Sequence, residues 1–195
     1  MPNWCSTRIT INHYDENELK NLEALINVCM EKNYMENGFG LGWLGNIVGN
    51  SGIGTIDTGK ETDLRCRGWL SYMELYDNQL TIDTETAWIP MLEMWIKLLN
   101  KYLPDAELIY QADEPGCGIH CTNDPTLIGK YVIDSWNDDI DYDPEADKET
   151  VIFELQRYLK TTETELGSLL NMLYEMDEPE LSINEWKFSE IEGWD

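Results

Sequence analysis

The stretch Leu80-Thr-Ile-Asp-Thr-Glu-Thr-Ala-Trp-Ile-Pro-Met-Leu-Glu-Met-Trp-Ile-Lys-Leu-Leu99 decides the fold of this chain. Residues 80–88 alternate between two sets of side chains, which is the two-residue period of a strand whose faces differ. Pro90 follows at a position typical of the first turn of a helix, because the N–H that proline lacks would be unpaired there in any case. Large apolar residues then recur at helical spacing: Leu92, Trp95, Leu98, Leu99 and Tyr102. The stretch therefore predicts one strand that leads directly into one helix.

The beginning of the sequence predicts a strand and a helix in the same order. Residues 4–13 alternate like a strand, and Asp15 with Glu18 has the spacing of a capping box at a helix start. We expect this helix to run to about Tyr34, because apolar residues recur on one side of it. Its apolar stripe consists of Leu19, Leu22, Ile26, Cys29 and Met30.

Further alternating segments predict the rest of a sheet. Residues 67–76 alternate, and turn residues join them to the strand 80–88, so the two segments predict a hairpin at the centre of the sheet. Short strands are also predicted at 106–112, 118–122 and 129–136. The order strand, helix, strand, strand, helix, strand is the ferredoxin-like α+β arrangement of two split βαβ halves. The last two strands are expected to extend the antiparallel sheet.

The composition divides the chain into a domain and an extension. We expect a ferredoxin-like α+β domain over residues 1–136 and an acidic helical C-terminal extension over residues 137–195. A glycine-rich insertion, residues 37–66, interrupts the domain. It contains Phe39, Trp43 and several aliphatic residues, so it is too apolar for a flexible linker. We expect it to pack as an irregular segment or a short helix over the sheet.

Helix start signals recur in the C-terminal extension. Asp143-Pro144 has the pattern of an N-cap followed by proline at the first helical position, and Thr162 begins a second helix. The tail after residue 179 contains Trp186, Phe188 and Trp194 among acidic residues. We expect this tail either to dock on the folded body or to bind a partner.

Negative charge is the most unusual feature of the composition. The chain has 38 Asp and Glu residues against 13 Lys and Arg residues, a net charge of −25. Residues 134–195 contain 19 of these acids and only 4 bases. Nucleic-acid affinity comes largely from basic side chains that neutralise phosphates, so this composition argues against direct nucleic-acid binding. It favours association with a basic partner.

The sequence predicts a soluble cytoplasmic protein. No segment approaches the roughly 18 consecutive apolar residues of a membrane span. The first residues do not combine a basic region with an apolar run, so we expect no secretory signal. Five cysteines without paired spacing favour reduced thiols over a disulfide framework.

Three sequence motifs together resemble a known family. They are the opening Met1-Pro-Asn-Trp-Cys-Ser-Thr-Arg-Ile-Thr-Ile11, the joint Thr84-Glu-Thr-Ala-Trp-Ile-Pro90 and the turn Glu114-Pro-Gly116. The combination resembles the YubB-type ferredoxin-like domain family of phage, plasmid and conjugative-element proteins, over roughly residues 1–136. The resemblance implies a mobile-element origin and a ferredoxin-like fold. It implies no catalytic residue, because no activity is established for the family.

Two motifs suggest cofactors but lack the context that cofactors require. Cys117 and Cys121 flank His120, yet residues four apart on a strand lie about 13 Å from each other. One zinc ion cannot bridge that distance, so we expect no metal site. Gly40-Leu-Gly-Trp-Leu-Gly45 has the letters of a dinucleotide fingerprint, but it follows a predicted helix rather than a strand. We therefore expect no cofactor, and close packing explains these glycines.

The charge pattern leads to a functional hypothesis. We expect a non-enzymatic interaction protein whose acidic residues bind a basic host or phage protein. In its sharpest version, the carboxylates mimic nucleic acid and inhibit a nucleic-acid-binding protein of a defence system. The expected partner-binding residues are Asp138, Asp139, Asp141, Asp143, Glu145, Asp147 and Glu149.

Two alternatives remain open at this stage. Asp83 and Glu85 share one face of the predicted central strand, and paired carboxylates can perform acid–base chemistry when their environments separate their pKa values. A small-molecule or nucleotide-handling enzyme would use this ligand face, with His13 as a candidate neighbour. The other alternative is a structural accessory protein that dimerises through its sheet or its tail.

Overall fold

The computed structural model describes residues 3–36, 38–136 and 139–191, which form two compact units. Unit 1 comprises Met1–Ile119 and Glu190–Asp195, and unit 2 comprises His120–Ser189. Five helices accompany the strands in the described part of the chain, which confirms the α+β class. The division lies between Ile119 and His120 rather than at the expected residue 137, because the strand before residue 137 pairs with later strands.

Among the described residues, unit 1 contributes four antiparallel strands to a six-stranded mixed sheet. They are β1 (Trp4–Asn12), β2 (Gly68–Tyr76), β3 (Gln79–Ala87) and β4 (Glu107–Glu114). These strands lie in the order β2-β3-β1-β4. The expected hairpin is present as β2 and β3, but only β3 is central. Strand β2 lies at the sheet edge, because β1 occupies the other side of β3.

The described residues of unit 1 form three helices: α1 (Glu16–Met30), α2 (Leu44–Ser51) and α3 (Leu92–Tyr102). Helix α1 begins after Asp15, whose carboxylate accepts a hydrogen bond from the Asn17 N–H at 2.9 Å. It ends at Met30, short of the expected Tyr34. Apolar side chains of the helices and of one sheet face form the core, including Ile9, Ile11, Leu19, Ile26, Leu80, Ile82, Trp95 and Leu98.

The glycine-rich segment is closely packed, as its composition indicates, and it contains helix α2. A Cβ atom added to Gly45 would lie 2.3 Å from the Trp43 ring. A Cβ atom on Gly49 would lie 2.1 Å from the Tyr34 ring. Real Cβ atoms do not approach so closely, so these glycines let two aromatic rings lie against the helix backbone.

Unit 2 contains a three-stranded antiparallel sheet and two helices. The sheet has the order β7 (Asp143–Ala146), β6 (Tyr131–Ser135), β8 (Leu181–Glu185). The helices are α4 (Lys148–Leu159) and α5 (Leu166–Tyr174). Their core includes Ile133, Val151, Leu155, Leu169, Leu173 and Ile183. A short parallel pair joins β5 (Ile119–Thr122) to β9 (Lys187–Phe188).

Three expectations for the C-terminal half are wrong. Strand β6 does not extend the first sheet, because β7 and β8 occupy both of its edges. The expected helical extension, residues 137–195, is not simply helical, since three strands accompany the two helices within its described residues 139–191. Asp143-Pro144 lies in β7, and α4 begins after Asp147, whose carboxylate accepts the Thr150 N–H at 2.8 Å.

The tail packs at two places. Trp186 is buried against Leu127 and Val132, and its indole N–H donates to the Pro144 carbonyl at 2.6 Å. Ile191 packs against the core of unit 1, to which it belongs. Trp194 lies outside the described residues. The docking alternative therefore holds for Trp186, whereas Phe188 is 48% exposed.

Candidate functional site

The expected partner-binding carboxylates lie around β7 and the start of α4. Asp138 lies outside the described residues. The other six, which we call the acidic surface, are Asp139, Asp141, Asp143, Glu145, Asp147 and Glu149. All are exposed except Asp143, which is half-buried.

Two members of the acidic surface also stabilise the backbone. Asp143 accepts the Glu145 N–H at 2.9 Å, and Asp147 caps α4 through Thr150. The backbone hydrogen bond from Thr150 lowers the pKa of Asp147 below its usual value. Within the described part of the chain, the carboxylates of Asp141, Glu145 and Glu149 form no ion pair or hydrogen bond.

Exposed aromatic side chains accompany these carboxylates in the sequence. Trp136, directly after β6, is 89% exposed, and Tyr142, directly before β7, is 58% exposed. Tryptophan and tyrosine are enriched among residues that dominate protein–protein binding energy. The segment therefore combines negative charge with large apolar surface.

Asp83 and Glu85 lie on the partly exposed side of β3. Both Asp83 oxygens are bound by Arg8, which lies opposite on β1. His13 is not a neighbour of Asp83, because β3 pairs Gln79 rather than Asp83 with the end of β1. Neither carboxylate lines the two cavities of unit 1 described next.

The larger of these cavities, the aromatic cavity, has a volume of about 710 Å³. Such a volume is typical of small-molecule sites. Its walls are mainly apolar, and the chain supplies them from the glycine-rich segment and from the end of β3. Its lining includes aromatic, charged and thiol side chains: Phe39, Trp43, Asp57, Asp63, Arg65, Cys66, Arg67 and Trp88. A second, open depression of about 510 Å³ lies around Asn12, His13 and Gln79, with acidic residues at its rim.

Aromatic rings form a continuous row at the cavity. Phe39 contacts Trp43 edge-to-face, with ring centroids 5.3 Å apart. Phe39 also contacts Trp69 at 6.2 Å, and Trp69 contacts Trp4 at 5.2 Å. Phe39 and Trp4 are partly exposed, so this row offers ring surface to solvent.

Trp88 has an unusual backbone conformation. Its φ angle is +73°, and the Ile89 N–H donates to the Ala87 carbonyl at 3.0 Å, which together mark a strained γ-turn. The Trp88 N–H donates to the Asn3 carbonyl at 3.0 Å. The Thr86 hydroxyl donates to the Ile89 carbonyl at 2.8 Å. Several hydrogen bonds thus hold a bulky residue where L-residues rarely lie.

The loop beside the cavity is organised by the Asp63 carboxylate. It accepts hydrogen bonds from the hydroxyls of Thr58 and Thr55 at 2.6 and 2.7 Å. It also accepts the Thr58 and Gly59 N–H groups at 2.8 and 2.7 Å. The hydroxyl of Thr58 contributes most to lowering the pKa of Asp63, which is about 2. Asp63 is therefore an anion committed to its own loop.

Arg65 and Arg67 are the cations of the aromatic cavity. Both are exposed, while Leu64 and Cys66 between them are buried, as in an extended strand. Neither guanidinium forms an ion pair or hydrogen bond with a described residue. Burial raises the pKa of the Cys66 thiol to about 12, and the Asp57 charge adds to this effect. The cavity lining thus includes a neutral thiol, two uncommitted cations and the exposed carboxylate of Asp57.

Trp43 provides a buried hydrogen-bond donor that lacks an acceptor. Its side chain is 4% exposed, and its indole N–H has no partner among the described residues. Native proteins rarely leave a buried donor unpaired, because its desolvation is then uncompensated. The other arginines, Arg8 and Arg157, are by contrast paired with carboxylates.

No sequence pattern predicts this cavity. The composition of the glycine-rich segment predicts close packing, which is correct for Gly45 and Gly49. A signal was nevertheless present, because Arg65 and Arg67 alternate with buried residues in a segment rich in aromatic side chains. Their convergence with Trp88 depends on strand pairing, which no local pattern contains.

Comparisons with protein-family models, with curated proteins and with solved structures found no match for this chain. Among residues 3–36, 38–136 and 139–191, no group of three or more His, Cys, Asp and Glu side chains is arranged to hold a metal ion. The helices in these ranges are too short or too polar to cross a bilayer.

Proposed function

We propose that this chain is a non-enzymatic interaction protein of a mobile genetic element. In the cytoplasm, its acidic surface binds a basic protein partner. Three exposed carboxylates of this surface, Asp141, Glu145 and Glu149, form no ion pair with a described residue. This observation carries the proposal, together with the exposed side chains of Trp136 and Tyr142 in the same segment of the sequence. Charge of one sign accelerates encounter with an oppositely charged partner, and aromatic anchors then supply binding energy on contact.

We propose that unit 1 is a ferredoxin-like domain of the YubB type and that it has a mobile-element origin. Its strand order β2-β3-β1-β4 supports this, as do antiparallel neighbours throughout. Helices α1 and α3 lie in the two connections where a split βαβ arrangement requires them.

The most specific form of the proposal is mimicry of nucleic acid. The carboxylates would occupy the phosphate-binding surface of a nucleic-acid-binding protein, such as a component of a defence system. The net charge of −25 supports this form. A duplex DNA competitor then displaces the chain from its partner.

The enzyme alternative has less support. Arg8 binds both oxygens of Asp83, so this carboxylate is not available as a base. A dimerising accessory protein would have twice the mass of the monomer in solution, and light scattering measures that mass directly.

Affinity capture with matched variants tests the proposed function. The immobilised chain is exposed to a bacterial lysate and eluted with a salt gradient. The quadruple variant Asp139→Asn, Asp141→Asn, Glu145→Gln, Glu149→Gln spares the backbone caps Asp143 and Asp147. The control quadruple neutralises exposed acids of unit 1: Glu18→Gln, Glu31→Gln, Glu36→Gln and Asp105→Asn.

We expect the wild type and the control to retain the same basic protein, released at moderate salt because ions screen exposed charges. The first quadruple should lose it. Equal loss in both quadruples, or no specific retention by the wild type, contradicts the proposed function.

A further inference from the structure

We propose that the aromatic cavity binds a small organic anion that carries a planar aromatic ring, the chemistry shared by nucleotides and aromatic carboxylates. This inference concerns unit 1 and goes beyond the proposed function, which concerns the acidic surface of unit 2. The two can therefore fail separately.

The aromatic walls of the cavity favour the binding of a planar apolar group. Phe39 and Trp88 offer partly exposed rings, and Trp43 closes the interior. Aromatic rings gain energy from stacked or edge-to-face contact beyond simple burial of area. The volume of about 710 Å³ accommodates a ring system with a substituent.

The buried indole N–H of Trp43 requires an acceptor. No described residue supplies one, and the side chain lines the cavity. The nitrogen itself is closed off from solvent, so a ring nitrogen or carbonyl oxygen of a ligand satisfies this donor only when the Trp43 ring turns toward the cavity. A ligand that does so is a heteroaromatic or acid-bearing molecule rather than a pure hydrocarbon.

Arg65 and Arg67 require an anion. Residues i and i+2 of an extended segment project to the same side, about 7 Å apart, so both can approach one group. Guanidinium groups bind carboxylate and phosphate through paired hydrogen bonds. Two carboxylates also line the cavity. Asp63 is already committed to the hydroxyls and amides of its own loop, and the exposed Asp57 forms no ion pair with either arginine.

Charge distribution favours a small anion over a nucleic-acid strand. Residues 38–68 contain three acids and three bases, so this segment is neutral in a chain of net charge −25. Screening at physiological salt acts over about 8 Å, which leaves local arginines effective for a small ligand. A long polyanion would also meet the surplus of negative charge elsewhere.

The strain at Trp88 agrees with a ligand contact. A non-glycine residue at φ +73° persists only where its surroundings hold it, and such residues cluster at ligand clamps. Here the bonds from Thr86, Ile89 and Trp88 itself hold the turn that presents the ring.

Calorimetric titration of the full chain tests the proposal with four probes: adenosine 5′-monophosphate, adenosine, indole-3-acetate and inorganic phosphate. Tighter binding of the nucleotide than of adenosine and phosphate supports a nucleotide ligand. Tighter binding of indole-3-acetate supports an aromatic carboxylate. If neither aromatic anion binds at concentrations up to about 1 mM, the proposal is overturned.

The double variant Arg65→Gln, Arg67→Gln should weaken binding of the preferred anion by about tenfold or more and leave adenosine unchanged. The matched control Lys20→Gln, Lys97→Gln changes the net charge equally on helices outside the cavity. An equal loss in both double variants overturns the assignment of the arginines.

Trp43→Phe keeps a ring and removes the N–H, and we expect binding about fivefold weaker. Because Trp43 lies in the core, Phe39→Leu at the exposed rim provides a second test that does not depend on core packing. It should also weaken binding several-fold through lost stacking. In the ¹H–¹⁵N spectrum, the indole resonance assigned by Trp43→Phe should shift when ligand is added. Unchanged affinity in Phe39→Leu together with an unshifted indole resonance overturns the proposal.

Discussion

Arg8 on β1 and Asp83 on β3 lie directly opposite each other and form a paired ion bridge. The Arg8 Nε donates to Asp83 Oδ1 at 2.8 Å, and Nη2 donates to Oδ2 at 2.9 Å. This fork-to-carboxylate geometry fixes both side chains across two strands. Asp83 therefore contributes to sheet register, and Arg8 directs its Nε and Nη2 donors to this carboxylate.

The bridge should contribute modestly to stability, because both side chains remain partly exposed. We expect Arg8→Gln and Asp83→Asn each to lower the free energy of unfolding by about 1 kcal/mol or less, with a coupling of roughly 0.5–1 kcal/mol. Urea denaturation of the wild type, the two single variants and the double variant measures this coupling. Glu85→Gln, on the same side of β3, serves as control. A coupling of zero would show that the bridge is energetically silent.

Asp63 should titrate near its value of about 2 in the folded protein. Because this folded pKa lies below the unfolded value, the charged form stabilises its loop above about pH 4. That stabilisation is lost as the pH falls through about 2. NMR titration of the carboxyl carbon measures the midpoint, and Thr58→Ala should raise it toward 3.8. Thr62→Ala is the control, since its hydroxyl contacts Thr55 rather than Asp63.

Cys66 should make the protein sensitive to alkali. The pKa of its thiol in the folded protein, about 12, exceeds the ordinary value of 9.0. The neutral thiol therefore contributes fully to the stability of the folded state below pH 9, and this contribution is lost as the pH rises toward 12. Between pH 8 and pH 10 the free energy of unfolding should fall by about 1.4 kcal/mol more in the wild type than in Cys66→Ala. Urea denaturation at both pH values measures this difference. Ile56→Val alters the same cavity without a titrating group, so it should retain the wild-type slope.

At position 88 the glycine variant should be more stable than the alanine variant, which is the reverse of the usual order. At a φ of +73° glycine avoids the clash that other residues suffer, so Trp88→Gly should be more stable than Trp88→Ala by about 1 kcal/mol. Thermal unfolding compares the two variants. At the neighbouring Ile89, whose φ is not positive, Gly should instead be less stable than Ala. The same order at both positions would refute the strained turn.

Sequence periodicity predicted the elements whose two faces differ clearly in burial. Burial alternates along all of β1 and along β3 as far as Thr86, and Asp15 marks the start of α1 by a local hydrogen bond. The prediction that Asp143-Pro144 begins a helix was wrong, because this pair of residues is compatible with a helix start and also with a strand. Pairing of Asp143 with Ile133 decided in favour of β7, and the same kind of local cap operates four residues later at Asp147.

The aromatic cavity was less predictable for a physical reason. Trp43 and Trp88 approach one another only because β2 pairs with β3, which brings the glycine-rich segment to the end of β3. An unpaired indole N–H and a positive φ are properties of the folded state alone. The acidic surface, in contrast, follows from composition, because charged residues lie at the surface wherever the chain folds.

Strands β5 and β9 run side by side, with Cys121 opposite Lys187 and Thr122 opposite Phe188. The chain thus enters and leaves unit 2 at neighbouring points. A segment with adjacent ends can be gained, lost or exchanged as a single piece of gene, since no long linker is needed to rejoin its neighbours. Recombination at the codons of Ile119 and Glu190 would replace the acidic unit while leaving the coding sequence of the cavity intact. The proposed partner-binding surface would then change while the proposed small-molecule site stayed the same.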